Sequence, residues 1–243
     1  NIALAQPPCS TIPGMTPQTA IAVCGTTTFG QDSVNACQGQ DISGFGACGS
    51  THSSSNAFWY KFHCYQTGTL GFLITPRVLS DDYDWELFNV TGIVNLNEVY
   101  TNEQLMVSLN LCGSPNGVTG CSPPGIDSIN CGGATNLLIR MATIYAGNDY
   151  LLMVNNWSNS GFGYSLKFQG GTAVITDNTP PVISSVTAVG CNTSLLKVVF
   201  SKDIRCSSVT PNGSEFSISP AGPVIMGVTS TCVTTLNTIT ELT

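Results

Sequence analysis

The sequence predicts an all-β protein built as two disulfide-stapled units. Three observations predict it. Hydrophobic residues make up 42 % of the chain and charged residues only 9 %, so there is ample apolar surface to bury and too little Glu, Lys and Arg to cover a helical bundle. Short runs with period-two alternation recur along the chain, separated by Gly, Asn and Pro, which is the pattern of half-buried strands joined by turns. The 243 residues include eleven cysteines, with no C-x-x-C pair and no zinc-finger spacing to a histidine, so disulfides in an oxidising compartment outweigh a metal centre.

The elements follow in order. Residues 1–56 are expected to be loop-rich, with Pro7, Pro8, Pro13 and Pro17 holding the opening extended and 20–24 as a short strand. The opening six residues are too short for a signal peptide and carry no basic residue, which is compatible with a mature terminus. Cys9, Cys24, Cys37 and Cys48 would staple segments that bury too little to order themselves. The G-x-G-x-x-G at 44–49 has neither a strand before it nor a helix after it, so it reads as a flexible loop.

Residues 57–92 organise the rest. Phe58, Tyr60, Phe62 and Cys64 share one face of a predicted strand, and Trp59, Lys61, His63 and Tyr65 share the other. A turn at 66–69 leads to a strand with Leu70, Phe72 and Ile74 on one face, stopped at Pro76. The loop 80–84 then feeds a strand at 85–90. Residues 93–136 read as a long connection with strands at 99–100 and 105–111 and an ordered, cysteine-bearing loop at 112–131 that offers a contact surface. Strands are predicted at 137–145 and 150–154, and Tyr164, Leu166 and Phe168 alternate with Ser165, Lys167 and Gln169. The polar, Pro-containing stretch 176–181 is the predicted boundary, and strands at 182–189 and 195–200 open a second unit.

A resemblance enters at these residues. FWYKFHCYQTGTLGFLITP (58–76) followed by DDYDWELFNVTG (81–92) resembles the amino-terminal β-sandwich of large secreted surface adhesins and gliding-motility-associated proteins of Bacteroidetes-type bacteria, exported by the type IX system. YLLMVNNWSNSGFGYSLKFQGGTAVITD (150–177) and CSSVTPNGSEFSISPAG (206–222) fit the same pattern, and VVFSKDIRC (198–206) resembles bacterial immunoglobulin-like repeats. The expected architecture is therefore a jelly-roll-like β-sandwich over 1–175 with Cys-rich loops, then an immunoglobulin-like β domain over 182–243. About 65 residues are short for the ~100 of a complete immunoglobulin-like sandwich, and three cysteines there are an odd number, so these residues are expected to be the front of a longer chain. The resemblance identifies a scaffold and supplies no catalytic residues.

Candidate sites are few. Asp81, Asp82, Asp84 and Glu86 place four carboxylates within six residues, a set that suits calcium, although the spacing is not that of an EF-hand and a solvated strand entrance is the simpler reading. The same acids show no cleft for a glycosidase pair. His52 and His63 are the only histidines, and neither G-x-S-x-G nor H-E-x-x-H occurs. Most Trp and Tyr side chains are expected in the core. Trp157 is the exception, because 155–161 reads as an exposed loop tip, and it is the expected glycan contact. Ten cysteines are expected in disulfides: Cys9, Cys24, Cys37, Cys48, Cys64, Cys112, Cys121, Cys131, Cys191 and Cys206. Asp32-Ser33-Val34 and Asp127-Ser128-Ile129 resemble the O-glycosylation motif of Bacteroidetes secreted proteins, which makes Ser33 and Ser128 candidates for attached sugar. Sequons stand at Asn89, Asn156, Asn192 and Asn212.

With a net charge of −7 and only seven Lys plus Arg, no basic patch can neutralise several phosphates, so nucleic acid is excluded as a partner. No apolar run approaches the ~20 residues of a membrane helix, so no membrane insertion is expected. The expected role is non-enzymatic and extracellular or at the cell surface: part of a large secreted protein for adhesion, gliding or an extracellular filament. Its partners would be further domains of the same chain, neighbouring subunits or surface glycans, with no cofactor required beyond possible calcium. The alternatives are an accessory carbohydrate-binding domain of a secreted hydrolase, or a subunit that polymerises by strand addition.

Overall fold

The computed structural model describes residues 6–23, 28–43, 48–112, 117–132, 136–177, 179–190, 194–205, 208–220, 224–229 and 238–243. Cys24, Cys191 and Cys206 lie outside them. The chain divides into two compact units, Asn1–Asp177 and Asn178–Thr243.

In the first unit the strands are β1 (Ile21–Ala22), β2 (Thr28–Ser33), β3 (Asp41–Ile42), β4 (His52–Ser53), β5 (Ala57–His63), β6 (Gly68–Leu70), β7 (Phe72–Pro76), β8 (Tyr83–Asn89), β9 (Met106–Asn110), β10 (Thr119–Cys121), β11 (Ile129–Asn130), β12 (Leu138–Ile139), β13 (Ala142–Ile144), β14 (Asp149–Asn156) and β15 (Phe162–Phe168). One sheet runs β1-β5-β14-β8-β9-β11 and the other β12-β10-β7-β15-β2. Two small sheets, β13-β6 and β3-β4, complete the unit.

The two large sheets share one core. Phe58, Tyr60 and Phe62 of β5, Tyr150, Leu152 and Val154 of β14, and Trp85 and Leu87 of β8 pack with Phe72 and Ile74 of β7 and Tyr164, Leu166 and Phe168 of β15. The odd/even spacing of these residues puts each set on one pleat face, and burying each such side chain contributes roughly 1.5–3 kcal/mol. Aromatic pairs bridge the sheets: Phe72 and Trp85 meet edge-on at 4.8 Å, and Tyr83 and Tyr164 at 5.0 Å. The Tyr60 and Tyr164 hydroxyls hydrogen-bond at 2.8 Å, and Gln31 Nε2 donates to Tyr60 at 3.1 Å, so the buried phenols are satisfied. At the β2–β15 edge, Gly163 has no room for a side chain; a Cβ there would lie 1.8 Å from Gln31 O.

The outer face of the six-stranded sheet is also covered. Leu151 and Met153 of β14, Ala57 and Trp59 of β5 and Phe88 of β8 pack under Ile42 of β3 and under Val99 and Tyr100. The central strands β14 and β8 are therefore buried on both faces. For β5 this corrects the half-buried expectation: Trp59, placed by alternation on the face opposite the main core, sits in this second apolar layer and is fully buried. Val99 and Tyr100 belong to a 3-10 turn, Leu96–Tyr100, and not to a strand, because Asn95 caps it by accepting from Asn97 N–H. The stretch 112–131, expected as loop, contains β10 and β11, and the loop-rich opening contains β2, the edge of the five-stranded sheet.

In the second unit β16 (Ile183–Ala188), β17 (Leu196–Arg205) and β18 (Thr238–Leu242) form an antiparallel sheet in that order. Lys197 pairs with Glu241 at 2.6 Å across β17 and β18. Among the described residues no helix is long and apolar enough to cross a membrane.

Candidate functional site

The turn between β14 and β15 carries the most exposed of the three tryptophans. Trp157 is 59 % exposed, whereas Trp59 and Trp85 are fully buried. Its backbone is fixed from several sides. Trp157 N–H donates to Asp82 O at 3.1 Å, and Ser158 Oγ accepts from Asp82 N–H at 2.7 Å, so the turn and the loop before β8 hold each other. Ser160 Oγ donates to Asp81 Oδ2 at 2.7 Å. Asn156 is buried below the tip, and its Nδ2 faces Tyr83 Oη, Ser160 Oγ and Phe162 O at 3.0–3.1 Å. Asn159 takes a positive φ of 50°, which Asn tolerates better than most residues, and accepts from Asn56 Nδ2 at 3.2 Å. Asn56 Oδ1 in turn accepts from Cys37 N–H at 2.9 Å, and Cys37 is disulfide-bonded to Cys9. An exposed indole thus stands on a tip whose polar groups are tied to the loop leading into β8 and to Asn56. The sequon at Asn156 is no glycan acceptor in the folded chain, because its amide is buried and engaged.

The four carboxylates expected as a calcium shell are divided by the structure. Asp81 turns to Ser160. Glu86 is buried and meets His52 Nε2 of β4. Its carboxyl is pushed above the usual range by burial, opposed by the bond and charge of His52. Asp84, only 7 % exposed, sits in the same covered layer. Burial, and then the charge of Asp82, raise its carboxyl to about 8. Alternation along β8 does put Asp84 and Glu86 on one face, as the sequence implies, but hairpin β3–β4 covers that face. Among the described residues no three His, Cys, Asp or Glu side chains come together to hold a metal.

This layer holds an unusual set of polar atoms. Asp84 Oδ1, Asn155 Oδ1, His52 Nδ1 and Trp59 Nε1 are buried without a hydrogen-bond partner among the described residues. Asn155 is the register partner of Asp84 across β14 and β8. Its Nδ2 donates to Ser53 O at 3.2 Å and to Ser55 O, which fixes the amide orientation and leaves Oδ1 as the unfilled acceptor. No sequence signal singles out Asn155; only its register pairing with Asp84 does.

Two disulfides form among the described residues, Cys9–Cys37 and Cys48–Cys131. Cys64 and Cys121, expected as half-cystines, are buried thiols within the main core instead. Cys64 Sγ donates to Gln66 O at 3.2 Å, and burial pushes its thiol up. Burial takes the Cys121 thiol up to about 12, so both behave as small apolar core residues. Cys112 is buried at the end of β9 and belongs to neither of these disulfides. Ser33 is exposed at the end of β2, while Ser128 is half-buried, with its carbonyl accepting from Ser108 Oγ. His63, on the far side of the sheet from the core, pairs with Asp149 at 3.0 Å.

No protein-family model, no curated protein and no solved structure matches the chain.

Proposed function

We propose that this chain is a non-enzymatic, extracellular binding module, part of a large secreted cell-surface protein that serves adhesion, with the Trp157 tip as its glycan contact. The observation that carries the reading is the exposed indole on a hydrogen-bonded tip. A rigid aromatic platform loses little entropy on binding and offers a flat apolar face to a sugar ring. The disulfides suit an oxidising compartment, and the jelly-roll-like and immunoglobulin-like readings of the two units suit rigid presentation of loop tips.

A glycan array probed with the wild-type chain and with Trp157→Ala tests this. The wild type is expected to bind a subset of glycans, and the variant to lose about tenfold or more in apparent affinity for them. Unchanged binding by the variant would refute the assignment of the tip.

A further inference from the structure

We propose that a groove beside Arg140 binds the carboxylate end of a peptide whose last side chain is apolar. The groove has a volume of about 740 Å³, within the range of small-ligand sites, and its lining includes none of the tip residues around Trp157. Its lining brings together Pro124 and Ser128 from the segment between β10 and β11, the run from Arg140 through Met141 to Thr143, and Val107 of β9.

The walls are pinned in place. Ser122 N–H donates to Ile139 O at 3.0 Å, Gly125 N–H to Ser122 O at 2.9 Å, and Arg140 N–H to Asp127 O at 2.8 Å. Gly125 presses so closely on β12 that a Cβ would lie 2.2 Å from the Ile139 carbonyl carbon. A site already shaped in this way avoids the ordering cost that a mobile loop would add to binding.

Charge selects the ligand class. Arg140 is exposed, and among the described residues its guanidinium has no ion-pair partner. Arg77, by contrast, pairs with Asp32. Acidic residues outnumber Lys plus Arg by 14 to 7, and an exposed guanidinium that pairs with no described carboxylate attracts an anion. Its planar fork matches a carboxylate in two parallel hydrogen bonds. The rest of the lining narrows the choice. It holds no aromatic side chain on which a sugar ring would stack. The lining combines apolar Val107, Pro124 and Met141 with the hydroxyl-bearing Ser128 and Thr143, which suits a peptide end, with its amide groups and one short apolar side chain, better than a long alkyl chain.

The test is calorimetric titration of the full chain with three probes: N-acetyl-Gly-Ala-Leu with a free carboxylate, the same peptide as its carboxamide, and octanoate. Arg140→Gln is titrated alongside, with its thermal melt compared with the wild type, and Trp157→Ala serves as the control at the other site. The free acid is expected to bind the wild type and Trp157→Ala equally. The amide, and the acid on Arg140→Gln, are expected to bind about tenfold more weakly or worse, the loss of charge-assisted hydrogen bonds. Equal affinity for acid and amide, undiminished binding by a folded Arg140→Gln, no binding of the free acid, or binding of octanoate alone would each overturn the proposal. Failure here leaves the glycan reading standing, because the two sites share no lining residue and are read with different ligands.

Discussion

Asp84 should make the first unit less stable as pH rises, and replacing it with Asn should remove that dependence. In the unfolded chain its carboxyl loses the proton near pH 4, whereas in the fold it holds the proton to about 8. Between those values the folded state binds one more proton than the unfolded state, so stability falls with pH by about 1.4 kcal/mol per unit and levels off above about pH 8. The full window is worth roughly 5–6 kcal/mol. Burial under the β3–β4 layer is its largest cause. Asp82 adds repulsion, Glu86 is occupied by His52, and the facing strand offers the amide of Asn155 and no cation. A protonated Asp84 donating to Asn155 Oδ1 would satisfy two orphaned atoms at once, and the amide introduced by Asp84→Asn would do the same without titrating. Urea unfolding followed by tryptophan fluorescence reads this unit selectively, since Trp59, Trp85 and Trp157 all lie within it. The stability gap between Asp84→Asn and wild type should widen in favour of the variant by several kcal/mol between about pH 4.5 and pH 8.5. Asp84→Leu, which offers Asn155 no donor, should be less stable than Asp84→Asn by about 1–3 kcal/mol at every pH. A gap between wild type and Asp84→Asn that stays constant across this range would refute the reasoning.

Two further outcomes follow from the cysteines. Replacing Cys9 and Cys37 by Ser removes a link across 28 residues and should cost about 3–4 kcal/mol, while removing the Cys48–Cys131 link, which spans 83, should cost about 4–5 kcal/mol, both read from urea midpoints. Cys64 and Cys121 should resist iodoacetamide at pH 8 in the folded chain and react fully in urea, as mapped by mass spectrometry, because both thiols are buried and held protonated. Rapid labelling of either without urea would contradict their place in the core.

The legible strands are those whose alternation reports a single buried face. In β15, Tyr164, Leu166 and Phe168 point inward while Ser165 and Lys167 face out, and the sequence pattern and the structure agree residue by residue. The pattern fails where both faces are buried. Along β14 the run Tyr-Leu-Leu-Met-Val is apolar throughout because Leu151 and Met153 serve a second layer, and nothing local shows that Ile42, Val99 and Tyr100 will cover them. β2 escapes the pattern for the opposite reason. Its Thr-Phe-Gly-Gln-Asp-Ser holds one large apolar residue, and it becomes a strand through its ladder to β15 and not through its own propensity.

The same contrast explains the site. Trp157 is legible as an exposed tip because Asn, Ser and Gly surround it, and those residues favour turns by mechanisms that act within a few positions. The fate of the carboxylates is not legible, since it depends on partners far along the chain: Ser160 lies 79 residues from Asp81, and His52 lies 34 from Glu86. Four acids in six residues look like a shell only while they share a solvent-facing segment. Once hairpin β3–β4 lies over β8, alternation sends Asp84 and Glu86 under it while Asp81 turns to the tip. Repulsion that a cation would have relieved is relieved instead by a proton on Asp84 and by His52 beside Glu86, which is why the pH dependence of Asp84→Asn, and not calcium uptake, is the sharper probe of this corner.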